Sequence, residues 1–166
     1  MPIHITIGDI TLRTDDAIVN SAHPSLLAGS GLSGAIHAAA GGELEAACRQ
    51  FGRLNPGDAV VTPSFNLSCR NVIHAVAPRW LGGDRGEPEV LERCYRRVFE
   101  LVADHSIRSL AVPAIGIGIY RWPLVKAAKI ALRAAREHES DGLQITFVCY
   151  DEVVATAYRQ AGSGRD

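Results

Sequence analysis

LLAGSGLSGAIHAAAGG, Leu26 to Gly42, joins a glycine-rich loop to an alanine-rich run. Its centre, GSGLSG from Gly29 to Gly34, satisfies the G-x-G-x-x-G pattern of dinucleotide-binding loops. In such a fingerprint the first glycine follows the strand almost directly, and an acidic residue about twenty positions later ends the second strand to hold the ribose. Neither condition is met here. The apolar run AIVN stops at Asn20, residues Ser21 to Ala28 intervene before Gly29, and about twenty positions beyond Gly34 the chain, Leu54 to Gly57, still reads as helix or loop. A nicotinamide oxidoreductase is therefore the remotest functional reading. What remains is local physics. Glycines let a backbone approach an anion closely, and a helix starting near Leu32 offers unpaired N–H groups and the positive end of its dipole. The same glycines suit a tight turn packed under the helix, and this segment alone leaves both readings open.

A second glycine-rich loop, AIGIGIY from Ala114 to Tyr120, follows the apolar strand pattern SLAVP. Open α/β sheets bind ligands outside the carboxyl ends of their strands, so two such loops facing each other suit a diphosphate clamped by backbone donors. Tyr120 is placed either to pack on a sugar or base, or to cover the apolar loop. Asp9, in GDI after the first strand, is either a turn former or an acceptor for an exocyclic amine.

The rest of the chain alternates strands and helices. Ile3, Ile5 and Ile7 alternate with polar residues, and AIVN, AVVTPSF, NVIHAVA, SLAVPAIG and LQITFVCYD read as further strands. The Ala-, Leu- and Glu-rich run Leu32 to Phe51 suits one or two helices broken at Gly41 and Gly42. EVLERCYRRVFELVADH is the clearest amphipathic helix, with Arg93, Arg96 and Arg97 on its solvated face. PLVKAAKIALRAAREHE is a helix with Pro123 in its first turn, and a last helix lies around Val153 to Arg159. This alternation, with nearly continuous β-branched strands, predicts a three-layer α/β/α domain. The short connection between AVVTPSF and NVIHAVA predicts a mixed central sheet. One domain over 1–161 with a frayed polar tail, GSGRD at 162–166, accounts for all 166 residues.

Composition narrows the classes. Seventeen basic and eighteen acidic residues give a net charge of -1 without blocks of like charge, so no general nucleic-acid or membrane binding is expected. No basic leader precedes an apolar run, and a cytoplasmic, monomeric protein is expected. Cys48, Cys69, Cys94 and Cys149 form no C-x-x-C pair and read as reduced, mostly buried thiols. No metal is expected, since no His, Cys and carboxylate cluster has ligand spacing. His37 and His74 sit among apolar residues and read as satisfied structural histidines, and Asp15 and Asp16 as a turn.

Taken in order, GDIT (Gly8 to Thr11), AIVNSAH (Ala17 to His23), GSGLSGAIHAAAG (Gly29 to Gly41), VIHAVAP (Val72 to Pro78) and PAIGIGIYRWP (Pro113 to Pro123) closely resemble the macrodomain family. The resemblance runs nearly the whole chain, up to VCYDE at Val148 to Glu152, and is greatest to the bacterial O-acetyl-ADP-ribose deacetylase and mono-ADP-ribosyl hydrolase branch. It implies ADP-ribose, or an ADP-ribosylated protein, bound across the strand ends with no other cofactor. Carried over by residue, Asp9 would accept from the adenine amine with Ile10 beside it, and Tyr150 would stack on or flank the base. Gly29, Ser30, Gly31 and Leu32 would form one phosphate loop, and Ile115, Gly116, Ile117, Gly118 and Ile119 the other. Asn20 would belong to the ligand-binding set, and Tyr120 would pack near the distal ribose.

Two departures bear on chemistry. Hydrolytic members of the family usually read Asn-Ala-Ala-Asn where this chain has Asn20-Ser21-Ala22-His23, so His23 stands for the asparagine at the distal ribose. They usually read Gly-Gly-Gly-Val-Asp-Gly where this chain has Gly29 to Gly34, so Ser33 stands for the carboxylate that orients ribose and water. A serine hydroxyl stays protonated near neutral pH unless a partner activates it, and does not act as an anion. His23 is one candidate to activate water for attack on an ester at the distal ribose, helped by a ligand phosphate. A ribose-contacting or buried imidazole is the other reading of His23, and a Ser33 nucleophile with His23 as base is a third arrangement. Two classes follow: an ADP-ribosyl ester hydrolase with catalytic His23 and Ser33, or a non-catalytic ADP-ribose reader.

Overall fold

The computed structural model describes residues 3–164. Strands β1 (Ile3–Ile7), β2 (Ala17–Ser21), β3 (Ala59–Pro63), β4 (Asn71–Ala75), β5 (Ser109–Pro113) and β6 (Gln144–Cys149) form one sheet in the order β1-β6-β5-β2-β4-β3. Every neighbouring pair is parallel except β3 and β4, which are antiparallel with Ala59 opposite Ala75 and Pro63 opposite Asn71. The mixed sheet expected from the short β3–β4 connection is thus present, with the one antiparallel strand at the edge.

Helices α1 (Gly31–Ala40) and α2 (Gly42–Arg49) cover one face. Helices α3 (Glu87–Asp104), α4 (Leu124–Glu137) and α5 (Glu152–Gly162) cover the other. The two cores are distinct because successive strand residues point to opposite faces. In β2, Ala17 and Val19 join the α3–α5 side, while Ile18 joins the α1–α2 side. The helical periodicity of α3 is realised by Leu91, Cys94, Tyr95, Val98, Leu101 and Val102, all buried, and a buried Leu or Val contributes roughly 1.5–3 kcal/mol.

Several details differ from the sequence reading. A 3-10 turn, Ile10–Leu12, follows β1, and its Ile10 is buried in the α1–α2 core. Helix α5 continues through Gly162, because Gly162 packs against Leu132 and Ile5 and the helix ends only at Ser163. The tail residues Gly162 to Gly164 are therefore not all frayed, and 165–166 lie outside the described residues. Pro123 caps α4 and does not form its first turn. All four cysteines are free and buried. No helix among the described residues is long and apolar enough to cross a membrane.

Candidate functional site

Because β1, β6, β5, β2 and β4 run the same way, their carboxyl ends open onto one edge. From β1 comes Gly8-Asp9, from β6 Tyr150, from β5 the loop Ala114 to Trp122, and from β2 the loop Ala22 to Ser30 that leads into α1. Strands β2 and β5 are direct neighbours, so the two glycine loops leave the sheet side by side.

The first loop owes its shape to two glycines. Gly31 has φ +64°, a left-handed conformation that L side chains rarely adopt. A Cβ on Gly34 would lie 2.2 Å from the carbonyl oxygen of Gly29, so only glycine lets the loop close on the first turn of the helix. Ser30 occupies the N-cap without a side-chain hydrogen bond, and Gly29, Ser30 and Gly31 are exposed. The N–H groups that begin α1 therefore face solvent without a capping side chain, which is the electrostatics of an anion seat.

The second loop is tied down by packing and hydrogen bonds. Gly116, at φ +90°, packs against the Trp122 ring, which a Cβ would meet at 2.7 Å. Trp122 Nε1 donates to the Pro78 carbonyl (2.9 Å), and the Trp80 amide donates to the Tyr120 carbonyl (2.9 Å). The Trp80 and Trp122 rings lie 4.9 Å apart. Ile115 and Gly116 are buried, Ile117 and Tyr120 are half-buried, and Gly118 and Ile119 are exposed. The Arg79 guanidinium lies 5.6 Å from the Tyr120 ring centre, within cation–π reach.

At the other end Asp9 is exposed, and its Oδ1 accepts from the amide (2.9 Å) and hydroxyl (2.6 Å) of Thr11. Its second oxygen accepts no hydrogen bond among the described residues. Tyr150 is 74% exposed, open for stacking. Ile10, by contrast, is buried and supports the turn from below.

His23 has a partner that sequence did not reveal. The Ser25 amide donates to His23 Nδ1 (3.1 Å), and the Ser25 hydroxyl lies 2.8 Å from the same nitrogen while accepting from the Leu27 amide. A backbone N–H only donates, so Nδ1 is an acceptor here and the neutral ring carries its proton on Nε2. The exposed imidazole therefore offers a donor at Nε2, as an asparagine amide would.

Ser33 and Asn20 lie deeper. Ser33 is 7% exposed, and its Oγ is buried without a partner among the described residues. Asn20 is fully buried, and its Nδ2 donates to His74 Nδ1 (3.2 Å) across the β2–β4 pair. These two sit beneath the loops, while Gly29, Ser30, Gly31, Gly118 and Ile119 form the surface and Leu32 is half-buried behind it.

His74 is the satisfied histidine the sequence predicts, close to Thr62 Oγ1 (3.0 Å) as well as to Asn20. Burial, with His37 adding repulsion, pushes its pKa down to about 3. His37 corrects the sequence reading: it is buried, yet neither ring nitrogen has a partner among the described residues. Its place one turn after Ser33 on α1 puts both groups on the sheet-facing side of the helix, where burial lowers its pKa against the opposing pull of Glu45.

The amino edge carries a separate concavity of about 680 Å³ lined by Asp16, Arg70, Arg108 and Gln144 among others. Its carboxylate is already engaged, since Asp16 accepts from the Arg108 amide (2.8 Å) and pairs with Arg70 (2.7 Å). Asp15 pairs with Arg13 (2.7 Å).

Comparison with known proteins agrees with this geometry. The Macro domain model matches residues 19–131. A macro domain-containing protein of Mesorhizobium japonicum is 44% identical over 162 residues, covering 96% of this chain and 92% of that protein. The O-acetyl-ADP-ribose deacetylase of Cronobacter sakazakii is 45% identical over 157 residues, covering 90% of this chain and 87% of its own. Among solved structures, a mutant of the Oceanobacillus iheyensis macrodomain with ADPR superposes with a TM-score of 0.89 at 37% identity, covering 95% of this chain and 89% of that one. The Trypanosoma brucei macrodomain in complex with ADP-ribose gives 0.88 at 32% identity, covering 96% and 68%. With the Macro domain model over residues 19–131 and relatives 44–45% identical along nearly its whole length, the chain belongs to the macro domain family.

Proposed function

We propose that this macro domain binds the ADP-ribose moiety across the carboxyl edge of its sheet and hydrolyses an ester at the distal ribose. The ester is an acidic side chain carrying ADP-ribose or an O-acetyl group. The observation that carries the binding is the uncapped start of α1 beside the second glycine loop, which offers backbone donors to a diphosphate from two sides. Asp9 receives the adenine amine on its free oxygen, Tyr150 covers the base, and Tyr120 packs near the distal ribose. The relatives named O-acetyl-ADP-ribose deacetylase support hydrolysis.

His23 acts at the reacting group as a hydrogen-bond donor. With Nδ1 accepting from Ser25, Nε2–H donates to the ribose or to the ester carbonyl, where charge develops as water attacks. The attacking water bonds to the acyl carbon and gives a proton to an oxygen of the bound diphosphate, which passes that proton to the ribose oxygen as the bond between that oxygen and the acyl carbon breaks, releasing the free acid and the ribose hydroxyl. The Ser33 hydroxyl, buried and without a hydrogen-bond partner among the described residues, takes no part in this step.

That burial, and the engaged Nδ1, favour a second reading, a reader that binds ADP-ribose without turnover. Calorimetric titration with ADP-ribose, then release assays on a mono-ADP-ribosylated acidic protein and on O-acetyl-ADP-ribose, separate the two. Binding with release is expected. Binding without release from either substrate means a reader, and a gain of turnover in the Ser33→Asp, His23→Asn double variant would add to that case. No binding overturns both.

A further inference from the structure

The unit formed by the second glycine loop and the segment after β4 carries a concentration of charge that the ADP-ribose cleft does not use. Glu87, at the start of α3, is buried and accepts the amides of Leu81 (2.8 Å), Gly83 (2.8 Å) and Arg85 (2.6 Å), wrapping that segment around one carboxylate. Burial opposes its ionisation, but these N–H groups outweigh it and bring its pKa to about 2. The segment is thus held as a fixed surface, tied to the glycine loop by the Trp80–Tyr120 and Trp122–Pro78 hydrogen bonds.

On the outside of this surface stand Arg79, Arg85, Arg121 and Lys126, all exposed and none in an ion pair among the described residues. Arg79 is over Tyr120, Arg121 is the next residue, and the Lys126 ammonium lies 5.3 Å from the Trp80 ring centre. Asp84 is the exposed acid on the same segment, since Glu87 is turned inward. Four cations against the exposed acids Asp84 and Glu89, the latter in the first turn of α3, stand out on a chain whose net charge is -1. Leu81 and Ile119, chain neighbours of the hydrogen-bonded Trp80 and Tyr120, are 64% and 77% exposed.

We propose that this basic rim docks the polypeptide around the modified residue, and that the partner is an acidic segment carrying ADP-ribose on one of its own carboxyl side chains. The inference rests on the ADP-ribose reading above and extends it from the ligand to the chain that bears it. Continuity with the cleft argues for this occupant: Tyr120, near the distal ribose in that reading, lies under Arg79, so a chain attached at that ribose leaves across the rim. The interleaved Leu81 and Ile119 suit the apolar side chains of a polypeptide better than a phosphate backbone.

The test compares three probes on the native protein and on the Arg85→Gln, Arg121→Gly variant. The probes are free ADP-ribose, a peptide mono-ADP-ribosylated on glutamate with acidic flanks, and the same peptide with lysine flanks. Arg121 has φ +60°, so glycine there removes the guanidinium and relieves the backbone at once. The acidic peptide is expected to bind about three- to tenfold more tightly than the lysine-flanked one at low salt, the range of two exposed ion pairs. That preference should shrink in the variant and at high salt, with free ADP-ribose bound equally by both proteins. Equal binding of the two peptides, an equal loss for free ADP-ribose, or displacement of the acidic peptide by a single-stranded oligonucleotide at comparable concentration overturns the proposal while leaving the ADP-ribose reading intact. Failure of ADP-ribose itself to bind overturns the reading and this proposal together.

Discussion

At the scale of single residues, the chemistry turns on what replaces an asparagine and an aspartate. His23 differs from asparagine in shape and in its ability to titrate, yet in its hydrogen-bonded setting it presents the same kind of group, an N–H donor. His23→Asn should retain turnover within about threefold, while His23→Ala should lose about tenfold, the worth of one hydrogen bond that forms at the reacting group. If asparagine fails as badly as alanine, His23 is a proton acceptor after all and works through its other tautomer, with Nδ1–H donating to Ser25. Sequence alone stopped short of this distinction. Ser25 is two residues away and reads as an ordinary loop serine; only the fold of the loop turns its amide onto the imidazole. The unpartnered His37 was equally hidden, because an apolar neighbourhood in sequence implies burial but not which donors burial brings along.

At the scale of elements, most strands and helices were legible because their signals are periodic: alternation in β1, helical spacing in α3, and a Pro before α4. The 3-10 turn after β1 was missed because three residues carry no period. The glycine loop was legible in composition but not in the division of labour among its glycines. Gly31 is needed for its backbone angle and Gly34 for contact, so the two should fail differently when replaced. Gly31→Ala meets open space and should cost about 1–2 kcal/mol of conformational strain. Gly34→Ala drives a methyl into the Gly29 carbonyl, which must move and carry the exposed loop with it. It should cost about 1–3 kcal/mol. ADP-ribose affinity should fall further in Gly34→Ala than in Gly31→Ala. Urea denaturation with calorimetric titration of both variants checks this, and equal affinity losses would mean that the loop's closure on α1 does not shape the site.

At the scale of the whole molecule, the mixed sheet gathers five parallel carboxyl ends on one edge and leaves a buried polar layer beneath them, and that layer should govern acid stability. His74 is neutral in the fold, with its pKa pushed from 6.5 to about 3, so between those values the unfolded chain binds a proton that the folded one does not. Stability must then fall as pH drops below 6.5, by about 2 kcal/mol between pH 6.5 and pH 5 for one proton. His37, shifted the same way by burial, adds to the slope. Carboxylates held low in the fold, Asp16 and Glu87, lose their contribution only further into acid and leave this window to the histidines. His74→Gln removes the titrating group while keeping an amide beside Asn20, so its urea-unfolding free energy should change less over pH 6.5 to 5 than the native protein's. The comparison is of slopes, which survives any constant cost of the substitution. Parallel slopes for the two proteins would show that His74 reaches water in the fold and that the layer under the site is open to protons.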